Sequence, residues 1–154
     1  MTARSIVVEQ LVQAPPGPVW EAMTDIDSWE EVLTGVDRVQ VLTPGGFGVG
    51  TRWRETRRML GAEGTEEMAV TACEPPERYV VEADSHGTHY VSEFLLLTAG
   101  EGATTVRMTF SAALPDGPRG LLARLLGPIG ARAARRAIAR DLADMARAAE
   151  ARHP

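Results

Sequence analysis

Apolar and polar residues alternate with a period of two in six stretches of the chain, a pattern typical of β-strands that bury one face. The stretches lie at residues 36–42, 49–59, 63–73, 77–85, 88–98 and 103–113, and a β-branched run at 5–12 predicts a further strand before them. Short turn sequences separate the last six, including Pro44-Gly45-Gly46 and Pro75-Pro76. Such separators are typical of hairpins, so we predict an antiparallel meander of six strands that follows one earlier strand.

Two short helices and one long helix are predicted around these strands. The proline-rich turn at 14–18 leads into apolar residues three or four positions apart, which predict the first short helix: Val19, Trp20, Met23 and Ile26. A second short helix, opened by an aspartate cap, contains Trp29 and ends before Gly35. After Pro118 the chain is rich in Leu, Ala and Arg, which predicts a long closing helix. The apolar stripes before and after Pro128 are out of phase, so we expect a kink or two helices there.

The length and composition are those of one globular domain. A chain of 154 residues suits a single hydrophobic core, and 44% hydrophobic with 24% charged residues is ordinary for a globular protein. We therefore predict one domain that spans residues 1–154. The start of the chain lacks the apolar centre of a signal peptide, and no run of about 18 apolar residues occurs. Together with the single Cys73, which allows no internal disulfide, this predicts a cytoplasmic protein.

Charge is distributed unevenly along the chain. The formal net charge is -5, yet the segment from Arg119 to Arg152 contains eight arginines and three acids. These arginines are interleaved with alanines and acids and do not form one block, so we predict no nucleic-acid partner. Docking of this basic helix on a protein partner or an anionic membrane is one hypothesis, ranked below two that concern the interior. The sequence leaves monomer and homodimer open.

Four segments are similar to those of a known superfamily. They are "APPGPVWEAMTDIDSWEEV" after the first strand, "GVGTRWRETRRMLG", "EPPERYVVEA" and "GEGATTVRMTF". With the order of elements, they make the chain resemble START-like (SRPBCC) proteins, and in particular bacterial polyketide cyclase/dehydrase-type members. The resemblance implies an α+β helix-grip fold: a seven-stranded curved antiparallel sheet with two short helices and a long C-terminal helix over an internal cavity. Members of the superfamily include lipid carriers, hormone receptors and aromatase/cyclases, so the resemblance identifies the fold better than the function.

The third strand places two opposite charges beside apolar residues. Trp53, Glu55, Arg57 and Met59 alternate onto one face, and because Trp and Met favour burial, the two charged residues are predicted to point inward. Buried charges need partners, so we expect Arg57 to pair with Glu55 and, diagonally, with Glu66 of the next strand. The resemblance implies a catalytic use, in which Arg57 stabilises an enolate or a carboxylate and Glu55 moves a proton. A purely structural ion pair at the cavity mouth remains open as the alternative.

The other candidate ligand contacts are mostly apolar. We predict that they line the cavity, with Trp29 as a gate and Tyr90 or Ser92 as the hydrogen-bonding end: Trp29, Trp53, Met59, Glu66, Met68, Tyr90, Ser92, Phe94, Met108, Phe110 and Leu142. A filled core without a cavity is the alternative.

Two histidines lie near a predicted hairpin. His86 and His89 are three residues apart, so on a strand they point to opposite sides and are poorly placed to share a metal. We predict neither a metal nor a cofactor. His89 is a candidate proton shuttle, because its pKa lies near neutrality, or alternatively a surface residue beside a turn.

Two functions follow from the interior. The first is binding of a small hydrophobic molecule, such as a lipid or a polyketide, in an internal cavity. The second is an enzyme, a polyketide aromatase/cyclase or dehydratase, that acts on a ligand held in the same cavity. The sequence does not decide between carrier and enzyme.

Overall fold

The structure is a computed structural model that describes residues 3–59, 61–85, 87–113 and 128–153. The described part excludes the side chain of Met59 and residue His86. It also excludes residues 114–127, which precede the kink predicted at Pro128.

The described elements follow the predicted order. They are β1 (Ala3–Val12), α1 (Pro16–Thr24), a 3-10 turn (Ile26–Ser28), α2 (Trp29–Val32), β2 (Val36–Val41), β3 (Arg52–Met59), β4 (Ala62–Glu74), β5 (Arg78–Ser85), β6 (Thr88–Thr98), β7 (Thr104–Ala113) and α3 (Pro128–Arg152). The predicted α+β class with seven strands is confirmed. β3 begins three residues later than predicted, because the backbone N–H of Thr51 bonds to the carbonyl of Gly48 at 3.0 Å and forms a turn there.

All seven strands form one antiparallel sheet in the order β1-β7-β6-β5-β4-β3-β2. β1 and β2 are therefore the two edges, where unpaired backbone groups would be open to strand addition. On each edge strand, a side chain forms a hydrogen bond with one backbone group. Arg135 donates to the carbonyl of Val7 at 2.9 Å, and Glu30 accepts from the N–H of Val39 at 3.0 Å. Each contact satisfies one backbone group at an edge of the sheet.

The long helix α3 packs over one face of the sheet, which we call the concave face, and against β1 and α1. Asp144 fixes its position, since this residue is 2% exposed and accepts bonds from the backbone N–H and the hydroxyl of Thr34, each at 2.9 Å. At the neighbouring Gly35, a Cβ atom would lie 2.8 Å from the guanidinium of Arg140. Glycine therefore lets the arginine of α3 lie directly on the loop between α2 and β2.

Among the described residues, no helix has both the length and the apolar character needed to span a bilayer.

Candidate functional site

One end of the concave face is filled by aromatic side chains. Ring centroids are 5.1 Å apart for Trp29 and Trp53, 6.2 Å for Trp29 and Phe47, and 5.1 Å for Phe47 and Tyr79. We call these four residues the aromatic cluster. Most such contacts are edge-to-face, the geometry that aromatic pairs favour. The aromatic rings therefore pack against one another in this part of the interior.

The structure places Trp29 inside this cluster. It is 4% exposed, and its indole N–H donates to the carbonyl of Met23 at 3.2 Å. The predicted gate at Trp29 is therefore corrected, because a gate has to lie at the rim and move. Trp20 of α1 is only partly buried; it packs against the hydrophobic core and meets Tyr79 edge-on at 5.6 Å.

Directly beside the aromatic cluster, the interior contains a charged triad of Glu55, Arg57 and Asp141. The Arg57 guanidinium binds Glu55 Oε1 through Nε at 2.8 Å and through a terminal nitrogen at 2.7 Å, and that terminal nitrogen also lies 3.0 Å from Asp141 Oδ2. Glu55 is 7% exposed, and its second oxygen accepts from the indole N–H of Trp53 at 3.3 Å. The inward orientation predicted for Glu55 and Arg57 is thus observed, and Arg57 joins the sheet to α3.

Glu66 does not pair with Arg57 as predicted. It lies directly opposite Glu55 in the register of β3 and β4, but its Oε1 accepts from the hydroxyl of Ser85 on β5 at 2.7 Å. Two carboxylates in register repel one another, and each binds its own donor: Glu55 binds Arg57 and Glu66 binds Ser85. The second acid beside Arg57 is Asp141 of α3 instead.

Burial and charge act in opposite directions on this triad. Burial lowers the pKa of Arg57, but the carboxylates of Glu55 and Asp141 outweigh it, so that the net pKa is raised and the guanidinium stays charged. At Asp141 burial is the larger effect, and the pKa of this carboxyl is raised despite the arginine beside it. Its Oδ1 is buried and has no hydrogen-bond partner among the described residues. One oxygen of Asp141 therefore binds Arg57, and the other has no partner in the described part of the chain.

The inner strands β6 and β7 carry mostly apolar side chains on the concave face. Tyr90, Ser92, Phe94 and Phe110 are only half-buried there, so part of each side chain stays accessible. Phe94 stacks on Tyr79 at 4.5 Å, and Tyr90 stacks on Phe110 at 5.5 Å. Burial raises the pKa of Tyr90, which keeps its phenol neutral and able to donate a hydrogen bond.

The remaining predicted contacts differ in burial. Met68 is half-buried, whereas Met108 and Leu142 are 7% and 3% exposed. Trp53, at 2% exposed, belongs to the aromatic cluster.

His89 lies on the outer face of the sheet, away from the charged triad. Its Nε2 is 2.6 Å from Glu82, and its Nδ1 is 2.8 Å from Asp84, the residue opposite it on β5. The hydrogen bonds to Asp84 and Glu82 raise the pKa of His89. The predicted proton shuttle between His89 and the interior is therefore corrected, because the sheet separates them. The described residues include no group of three or more His, Cys, Asp or Glu side chains arranged for a metal ion.

A shallow groove of about 220 Å³ also lies on the outer face, over β2, β3 and β4. It is lined by Arg38, Gln40, Arg54, Thr56 and Thr65. The sheet separates this groove from the concave face, so the two are distinct surfaces.

Sequence reasoning missed Asp141 and Phe47. Asp141 precedes Leu142 in the apolar stripe of α3, and this position next to a buried stripe was the one indication that it faces the sheet. Phe47 stands in the glycine-rich turn before β3, where its neighbours indicate a surface loop.

Comparisons with known proteins agree with this architecture. The family model described as polyketide cyclase/dehydrase and lipid transport matches residues 3–150. The Zhui aromatase/cyclase from Streptomyces sp. R1128 has a TM-score of 0.81 at 20% identity, over 99% of this chain and 97% of that one. TTHA0849 from Thermus thermophilus has a TM-score of 0.76 at 20% identity, over 98% and 100%. Norcoclaurine synthase from Thalictrum flavum has a TM-score of 0.67 at 15% identity, over 89% and 86%. No curated protein matches the chain in sequence.

These likenesses are of fold, and they confirm the helix-grip architecture.

Proposed function

The chain belongs to the polyketide cyclase/dehydrase and lipid transport family, and on that premise we propose that it binds a small hydrophobic molecule on its concave face. One observation supports this most directly: Tyr90, Ser92, Phe94 and Phe110 stay half-buried on central strands. Side chains on such strands would be fully covered in a filled core. Accessible aromatic surface next to a few polar groups is the usual lining of a small-molecule site.

The ligand class follows from the groups on the concave face. The aromatic side chains favour an apolar body. Beside them, Arg57 and Asp141 offer a cation and a carboxyl, which fit a single uncharged polar group such as a carbonyl or a hydroxyl. A lipid, a polyketide or a similar metabolite has this shape. The single cysteine fits a cytoplasmic setting for this activity.

Filling the proposed site tests the proposal. Ser92→Phe places a ring on the concave face opposite Val81 and Phe110, whereas Ser111→Phe places the same ring on the outer face of β7. We expect the first variant to lose binding of a fluorescent hydrophobic probe and any apolar molecule found by native mass spectrometry, and the second to keep both. In a filled core, Ser92→Phe would instead cost about 1–3 kcal/mol or more of stability through overpacking. A wild-type protein that binds no probe contradicts the proposal.

A second candidate function, cyclisation or dehydration of a bound polyketide, is favoured by Asp141. A carboxylate at this position can take a proton from the carbon beside a ligand carbonyl, while the electron pair moves to the carbonyl oxygen beside Arg57. The carbon then attacks a second carbonyl of the same molecule, and the new alkoxide takes the proton back from Asp141. Loss of water from that product completes a dehydration.

Turnover of a synthetic poly-β-ketone tests this second function. Asp141→Asn keeps the shape of the side chain but cannot exchange the proton, so we expect kcat to fall by roughly 10²–10⁴-fold. Asp84→Asn, on an outer-face side chain that is 81% exposed, is the matched control and should leave kcat unchanged. Binding of the poly-β-ketone without any product would contradict the enzymatic function and support the carrier function.

A further inference from the structure

The first half of α3 contains arginines and no acids. Four arginines lie between Pro128 and Arg140, and the first acid of the helix is Asp141. Arg132, Arg136 and Arg140 are spaced by four residues and therefore project from one side of the helix. We call these three residues the arginine face.

Arg132 and Arg136 of the arginine face point to solvent, whereas the guanidinium of Arg140, although exposed, lies against Gly35. All three side chains are exposed, and none of them has an ion-pair partner among the described residues. The fourth arginine, Arg135, is turned to the edge of the sheet, where it donates to the carbonyl of Val7 at 2.9 Å. The acids that follow, Asp141 and Asp144, point inward to Arg57 and Thr34. The positive charge on this side of α3 is therefore not neutralised within the described residues.

An exposed apolar side chain adjoins the arginine face. Ile129 is 79% exposed and precedes Arg132 by three residues, so it lies on the same side of the helix. A cationic face with an apolar side chain at its end suits the boundary between lipid headgroups and acyl chains. Because the whole chain has a formal net charge of -5, attraction to an anionic surface has to come from this local face.

We propose that the arginine face docks on an anionic lipid bilayer, with Ile129 entering the headgroup region. α3 also covers the concave face, so docking would bring the proposed binding site close to apolar molecules dissolved in the bilayer. That consequence rests on the proposed function, whereas the docking itself does not.

Sedimentation of the full chain with vesicles tests the docking. We expect binding to phosphatidylcholine vesicles that contain phosphatidylglycerol, weakening as salt rises, and none to pure phosphatidylcholine. The variant R132Q/R136Q should partition onto these anionic vesicles roughly 25-fold less than the wild type. Each arginine near an anionic surface raises the partition coefficient by a factor of about five. Glutamine is a good helix former, so α3 should persist, and circular dichroism checks this. Ile129→Ser should also weaken binding.

The matched control is R38Q/R54Q, which removes the same charge from the outer face of β2 and β3. We expect it to bind vesicles as the wild type does. Equal losses in the two double variants would show that only overall charge matters and would overturn the proposal, as would a wild type that does not sediment with anionic vesicles at low salt. Probe binding to the concave face, measured in parallel, separates the two proposals: vesicle binding without probe binding removes the proposed function and leaves the docking.

Discussion

At the scale of single residues, Arg57 supplies the positive charge that compensates two interior carboxylates. It sits between Glu55 and Asp141, two carboxylates that burial would otherwise leave without a cation. Such an arrangement costs free energy to assemble, but removing one member costs more, because the remaining charges stay buried without compensation. Structural and catalytic roles for Arg57 therefore coexist, and stability and turnover have to be measured separately.

Arg57→Gln is expected to destabilise the fold. Breaking a fully buried ion pair costs about 3–5 kcal/mol, and because the Arg57 side chain is 21% exposed, we expect roughly 2–3 kcal/mol after discounting for solvent. Chemical denaturation measures this difference. Arg58→Gln is the control, since that side chain is 66% exposed and lies 3.8 Å from Glu63, and it should cost under about 1 kcal/mol. Equal costs for the two variants would contradict a buried role for Arg57.

The pKa of Asp141 leads to a pH dependence with a definite sign. Burial raises this pKa above its ordinary value of 3.8, so the folded protein binds the proton more tightly than the unfolded chain. The penalty for the buried carboxylate is present at neutral pH, falls as pH drops through the folded pKa and vanishes below the unfolded pKa. Relative to Asp141→Asn, the wild type should therefore gain stability as pH falls from neutral to about 4. Denaturation of both proteins across this range measures it; the opposite trend would mean that Arg57 dominates over burial.

At the scale of elements, α3 is held by polar contacts that link it to distant parts of the chain. Arg57 joins Asp141 to β3, Thr34 joins Asp144 to the loop after α2, and Arg135 reaches the edge strand β1. Hydrophobic packing is nondirectional and would tolerate some sliding of a helix along a sheet. These directional bonds fix one position of α3.

Asp144→Ala tests the bond between α3 and the loop after α2. The change leaves the backbone N–H of Thr34 without its partner, and we expect a loss of about 2–3 kcal/mol, as for hydrogen bonds to charged groups. Thr34→Val removes the hydroxyl bond alone and should cost about 1 kcal/mol. Amide hydrogen exchange supplies a local readout: the Thr34 amide should exchange faster in Asp144→Ala and stay protected in Thr34→Val. An unchanged amide in both would mean that another group fixes the loop.

The strands were predictable and the contacts between elements were not. Alternation predicted the strands to within a few residues, and Trp53 predicted the inward orientation of Glu55 and Arg57, because both inferences need only the local period of two. The partner of Arg57 depends on how α3 crosses the sheet, which local patterns do not encode, so Asp141 was missed and Glu66 was chosen wrongly. Phe47 was missed because its turn folds back onto the aromatic cluster, a contact between residues far apart in sequence.

At the scale of the whole molecule, one core connects the helices and the sheet. Buried residues of β1, α1, α2, the strands of the meander and α3 form a single hydrophobic cluster. Arg152 near the end of α3 also pairs with Asp25 after α1, at 2.6 Å. The directional bonds and the shared core join the same elements. If α3 separated from the sheet, it would therefore bury little apolar surface by itself. The predicted single domain then implies that all parts unfold together.

Coincident unfolding of helix and sheet is therefore the expected result. Far-UV circular dichroism reports mainly on α3, the longest described helix, and tryptophan fluorescence reports on Trp29 and Trp53 in the aromatic cluster. Both should give one midpoint in denaturant, as cooperative small domains do. Asp25→Asn, which breaks only the exposed pair with Arg152, should shift both transitions together and by under about 1 kcal/mol. If the helical transition came first, α3 would be a separately docked element and the single-domain prediction would be wrong, whereas one shared transition would mean that α3 and the sheet unfold as one cooperative unit.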